Sequence, residues 1–176
     1  MVPQDLISLV ETGFALHLDG IHGRAHWARV RANGLRLAEV TGANQQVVEL
    51  FALLHDSKRL NDGRDPHHGA RAAEFAQSLH GSLVDLAEEE FKLLHYACAY
   101  HTSGLTEADI TVQTCWDADR LDLGRIGIMP DPRRLCTGAA KEASMIEWAY
   151  RQSLKSEPAV LYELERDYHS DGGTGL

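Results

Sequence analysis

The sequence offers the side chains of a metal site in a fixed order: His26, the adjacent pair His55–Asp56, and an aspartate from the Asp-Ala-Asp-Arg-Leu-Asp segment at 117–122. Imidazole and carboxylate are both good ligands for zinc, manganese or iron. His22, His26, Arg29 and Asn33 are four, three and four positions apart, so in a helix they share one face. A histidine and an arginine on an inward-tending face are costly unless paired or bound to something. Phe51-Ala-Leu-Leu54 runs straight into His55 and Asp56, delivering two polar groups from an apolar stretch to a helix end. Asp117 and Asp119 stand about 200° apart around a helix, so only one of them joins a given ion, and Asp122 shares the face of Asp119. A lone His-Asp dipeptide reads as a satisfied core histidine beside a surface charge. The ordered set, each member in helix, reads as a site assembled from facing helices.

These residues need helices to position them, and the apolar spacing supplies helices nearly everywhere. Leu6, Leu9, Val10 and Phe14 mark a first helix, and a second is expected over 21–39. Thr41-Gly-Ala-Asn44 is a turn, with Asn44 capping a third helix through Val47, Val48, Phe51 and Leu54. Asn61 to Pro66 is a loop by composition. Further helices are expected over 67–79, 83–100 and 107–123, the last capped by Thr106. The stretch 124–132 reads as irregular, 138–153 and 158–168 as closing helices, and 170–176 as a frayed tail. The expectation is one all-α domain over 1–176, a bundle of about seven to nine helices with the metal-site core at about 20–128.

Composition narrows the function classes. A formal charge of −9 without a basic stripe argues against a nucleic-acid polymer as partner. Three scattered cysteines form no disulfide framework or zinc knuckle. No apolar run approaches the roughly 20 residues that span a bilayer, and the first residues lack the pattern of a signal peptide. The expectation is therefore a cytoplasmic chain without membrane partners; an oligomer is compatible with the sequence.

With His26 in His-Trp-Ala-Arg-Val, His55–Asp56 in Leu-Leu-His-Asp-Ser-Lys-Arg and the later aspartate, the chain resembles the HD-domain superfamily over roughly residues 20–128. The resemblance implies an all-α fold and, most often, metal-dependent phosphohydrolase activity on nucleotides or other small phosphoesters. The family's Ala-Asp-basic setting selects Asp119, before Arg120, over Asp117. His68-Gly-Ala-Arg-Ala is similar to an element that supplies a second-metal ligand in dinuclear members, with Ala72 in place of its glycine, and His101 falls where another ligand often stands. The cofactor implied is one or two divalent ions per chain: Mn, Co, Ni, Fe, Zn or Mg.

A bound ion of this kind polarises a phosphoryl oxygen and acidifies its water, while the transferring group calls for positioned cations. Arg59, three residues after Asp56, is the first candidate, followed by Lys58, Arg29, Arg64 and Arg120. Asp62 and Asp65 are candidate general acid/base groups or plain turn residues; His22 is a candidate substrate contact or a cap. Asp122 is positioned to orient a ligand or an arginine. Ser57-Lys58-Arg59 lacks the acidic elements of the guanosine-tetraphosphate hydrolases and the 5′-nucleotidases, so no subgroup's substrate transfers. Two other functions compete: a dinuclear iron oxygenase, which requires His68 and His101 as ligands, and a non-catalytic metal-binding sensor or interaction module.

Overall fold

The computed structural model describes residues 2–155, so the helix expected at 158–168 and the tail at 170–176 lie outside the described residues. Those residues form eight α-helices and two 3-10 segments, and no strand. In chain order they are α1 (Gln4–Gly13), α2 (Arg24–Thr41), α3 (Gln45–Leu54), α4 (His68–Leu79), α5 (Glu88–Tyr100), α6 (Ile110–Arg120), α7 (Gly138–Lys141) and α8 (Ala143–Ser153). The 3-10 segments are Leu121–Ile126 and Pro132–Arg134.

The apolar faces of α2, α3, α5 and α6 meet in the core, where Trp27, Phe51, Leu54, Leu94 and Trp116 are fully buried. Gly34 permits the central crossing: a Cβ there would lie 2.4 Å from Val48 Cγ1 and 3.3 Å from Ala118 Cβ. A smaller cluster of Leu37, Leu121, Leu135, Met145 and Ile146 fastens the closing helices to α2 and the first 3-10 segment.

Several boundaries differ from the sequence expectation for local reasons. α2 begins at Arg24, so His22 sits in the turn before the helix. Asn44 caps α3 as expected, accepting from the backbone N–H of Gln46 (3.0 Å) and Val47 (3.2 Å). α5 starts at Glu88 instead of residue 83: Gly81, at φ 80°, turns the chain, and the Glu90 carboxylate accepts the Ala87 N–H. α6 is capped by Asp109, which accepts the Thr111 N–H at 2.8 Å, and Thr106 lies outside it. α6 then tightens into 3-10 winding at Leu121, and the run 138–153 breaks at Glu142.

Candidate metal centre

Four histidines from four elements converge with two aspartates. His26 comes from the first turns of α2, His55 from the C-cap of α3, His68 from the start of α4 and His101 from the C-cap of α5. All four are buried. Asp56 follows His55 in the turn that ends α3, and Asp119 lies in the last turn of α6.

Each imidazole is oriented through Nδ1. His26 Nδ1–H donates to the Asp122 carboxylate at 2.7 Å. His55 donates to the Phe51 carbonyl (3.1 Å), His68 to the Asp65 carbonyl (2.5 Å) and His101 to the Cys98 carbonyl (2.8 Å). Oxygen acceptors at Nδ1 fix the proton there and leave the Nε2 lone pair as the free donor on each ring, which is how ligating histidines are commonly held.

The Nε2 atoms then meet in pairs: His26 and His55 at 3.1 Å, His68 and His101 at 2.8 Å. Two lone pairs facing each other in a buried space repel unless a cation serves both. Burial holds the His26 imidazole well below its ordinary pKa, helped by the positive field of Arg125, and burial lowers His55 as well. A proton is thus a poor cation for this pair. The donor set fits a divalent metal ion, for which neutral imidazole and carboxylate are suitable ligands.

Asp56 faces both pairs. Its Oδ1 is 3.0 Å from His68 Nε2 and 3.5 Å from His101 Nε2, and its Oδ2 is 3.6 Å from His26 Nε2 and 3.8 Å from His55 Nε2. Asp119 Oδ1 closes the first set at 3.5 Å from His26 and 3.8 Å from His55. Groups able to hold a metal ion, buried except for the half-buried Asp119, are therefore His26–His55–Asp119 and Asp56–His68–His101, with His22–His26–Asp56 beside them. Burial pushes both carboxyls up, but the surrounding imidazoles, His55 foremost, outweigh it and hold both below the ordinary carboxylate range. Burial opposes charge on His101 too, yet the hydrogen bond and charge of Asp56 raise it on balance.

Other expected site residues divide sharply. Asp122 does what its position implied: besides holding His26, it takes two hydrogen bonds from Arg29, at 2.6 and 3.1 Å. Burial pushes its carboxyl up against the pull of Arg29. His22, although off the helix, reaches Asp56 Oδ2 at 2.8 Å. Arg59 stands 3.5 Å from Asp56 Oδ1 and 3.2 Å from His68 Nε2, but two of its N–H groups are spent on the carbonyls of Asn61 and Gly63.

Asp117 is buried and spoken for, accepting from the Cys136 N–H, the Thr137 N–H and the Thr137 hydroxyl at 2.6–2.8 Å. It fastens the chain before α7 and has no place in the histidine cluster. Asn33 donates to the Ala118 carbonyl at 3.0 Å and packs α2 on α6.

Five further candidates, Lys58, Asp62, Arg64, Asp65 and Arg120, do not join the histidine cluster. Lys58 turns away, its Nζ lying 3.7 Å from the Phe75 ring centre, and burial there lowers its pKa. Asp65 matches the turn-residue alternative, its carboxylate clamping the loop by accepting the Leu60 N–H at 2.9 Å and pairing with Arg71 at 2.5 Å. Asp62 and Arg64 are exposed in the loop. Arg120, one residue on from Asp119, is turned off the histidine cluster and donates to the Leu105 and Arg134 carbonyls.

The sequence reading missed Arg125. Its guanidinium donates to the Ile21 carbonyl (2.9 Å) and the Asp122 carbonyl (3.1 Å), and its charge acts on His26, Asp119 and Asp122. In 3-10 winding, residues three apart eclipse, which sets Arg125 over Asp122. Compared with family models, curated proteins and solved structures, the chain has no match.

Proposed function

We propose that this chain is a metal-dependent phosphohydrolase of the HD-domain type, acting on a nucleotide or another small phosphoester. His26, His55, Asp56 and Asp119 hold one divalent ion in this reading, and Asp56, His68 and His101 a second. The observation that carries it is Asp56, whose two oxygens face two separate imidazole pairs. When bound, such ions polarise a phosphoryl oxygen and bring the pKa of a ligated water near neutrality.

The chain's own groups do the rest. Asp122 fixes the His26 tautomer and, with Arg29, keeps the ring aimed. His22, hydrogen-bonded through Nδ1 to Asp56 Oδ2, steadies that carboxylate. Arg125 supplies fixed positive charge at the Asp119 edge, where negative charge builds as a phosphoryl group transfers. The Asp119 side chain is 19 % exposed against 3 % for Asp56, so a substrate would enter past Asp119.

The test is a phosphoester screen on protein loaded with manganese, cobalt, nickel or iron. Hydrolysis that disappears in Asp56→Ala supports the reading; a blank screen on fully metallated protein overturns it. The joining of His68 and His101 to Asp56 also favours a second reading, a dinuclear iron oxygenase. Oxygen uptake by the iron-loaded chain, without phosphoester turnover, would select it.

A further inference from the structure

Beside the metal centre lies a cleft of about 340 Å³, floored by His101 and lined by Arg120, Arg133, Arg134 and Asp131. We propose that this cleft binds a second anionic group of the substrate, so that the substrate class is a small polyanion: a phosphorylated molecule carrying a further phosphate or equivalent charge. The proposal rests on the phosphohydrolase reading for the word substrate, but the binding site stands on its own residues.

Three arginines face one carboxylate in a chain whose formal charge is −9. The whole-molecule field repels anions, so a local cationic cleft is where one can be held. The hydrogen-bond partners of Arg120 are neutral: the Leu105 carbonyl (2.7 Å), the Arg134 carbonyl (2.9 Å) and the Cys136 thiol (3.3 Å). Burial pushes that thiol up to about 12, so it carries no charge to offset the arginine. These bonds tie the chain after α5 to the second 3-10 segment, and the same residue thus shapes the cleft and charges it.

Arg133 pairs with Asp131 at 2.8 Å, but its side chain is 88 % exposed, and such a pair is weak enough to exchange for a phosphate. Among the described residues Arg134 is in no ion pair within 4.0 Å, although its charge acts on the Asp131 carboxylate. A guanidinium fork matches phosphate oxygens in two-point contact.

Position links the cleft to the reacting centre. His101 belongs to both, and Asp119 and Arg120 are consecutive in α6, one turned to the imidazoles and the other to the cleft. A phosphoryl group at the metal centre would leave the rest of a small ligand over the arginines. The volume is at the lower end of ligand pockets, roughly 300–1,000 Å³, and Leu123, Pro130 and Leu135 offer apolar wall to a non-ionic portion.

The experiment measures binding of inorganic tripolyphosphate to the full metal-loaded chain by calorimetry, beside the double variants Arg133→Ser/Arg134→Ser and Arg133→Lys/Arg134→Lys. Metal content and thermal midpoint are read on each. The cleft predicts that the serine variant binds about tenfold or more weakly, that the lysine variant regains part of the loss, and that metal content is unchanged. Equal binding by the wild type and the serine variant, with folding intact, overturns the proposal. Arginine-dependent binding without any phosphoester turnover keeps the cleft and removes the hydrolase reading. Turnover of a polyphosphorylated substrate whose KM ignores both variants does the reverse.

Discussion

At the scale of single residues, two aspartates two positions apart do different work. Asp119 closes the histidine set, whereas Asp117 accepts three hydrogen bonds from residues 136 and 137. Asp119→Asn should lose metal affinity while keeping its thermal midpoint in metal-free buffer. Asp117→Asn should keep metal and lose on the order of 2–3 kcal/mol of stability, as expected for disrupted hydrogen bonds to a buried charge. Paired metal titrations and melts would expose a mistaken assignment by giving the opposite pattern. Asp122 provides a subtler case, because it acts on the donor set through His26, with Arg29 and Arg125 beside it. Its replacement by asparagine should weaken metal binding about 10- to 100-fold; unchanged affinity would show that the His26 orientation is set elsewhere.

At the scale of elements, the second donor set depends on how closely α4 meets α5. Gly69 makes that approach: a Cβ there would sit 2.7 Å from the Cys98 carbonyl and 3.1 Å from the Ala99 carbonyl. Backbone cannot give way as a flexible side chain can, so Gly69→Ala must push the two helices apart. The expected result is one ion per chain instead of two, with a stability loss of about 1–3 kcal/mol. Two ions retained at full affinity would mean that His68 and His101 tolerate the shift.

The same elements explain what was legible in the sequence. His26, His55 and Asp56 stood out because helical spacing carried polar residues onto a face that packs, and Asn44 announced the start of α3. His68 and His101 stood out only through the resemblance; the close approach that lets their rings pair is carried by Gly69, whose need for a missing Cβ shows only in the packed helices. Arg125 escaped because α6 was read as α-helical through residue 123, while the chain changes to 3-10 winding at Leu121. Lys58 and Asp65 misled because proximity in sequence to Asp56 says nothing of a side chain's direction once the helix has ended.

At the scale of the whole molecule, the centre joins α2 to α6 through buried polar groups, and no helix among the described residues is long and apolar enough to cross a membrane. Bound ions that favour the folded chain stabilise it by about 2.7 kcal/mol at a hundredfold excess over Kd, so chelation should lower the thermal midpoint. The pH dependence follows from the buried imidazoles. His26 and His55 have folded pKa values below the ordinary 6.5, so between the two values the unfolded chain binds more protons. Their contribution is present above about pH 6.5 and is lost as pH falls through the folded values. His101, raised, acts in the opposite sense, but proton competition for Nε2 adds to the loss when metal is bound. The metal-loaded chain should therefore melt at a lower temperature at pH 5.5 than at pH 7.5, and a flat or reversed profile would count against metal held by these histidines.

The sharing of Asp56 between two imidazole pairs is tested most directly by elemental analysis of the purified, metal-loaded chain beside two variants. The account predicts two ions per chain in the wild type, one in His68→Ala and none held tightly in Asp56→Ala. A wild type that binds a single ion, or an Asp56→Ala chain that keeps two, would contradict it.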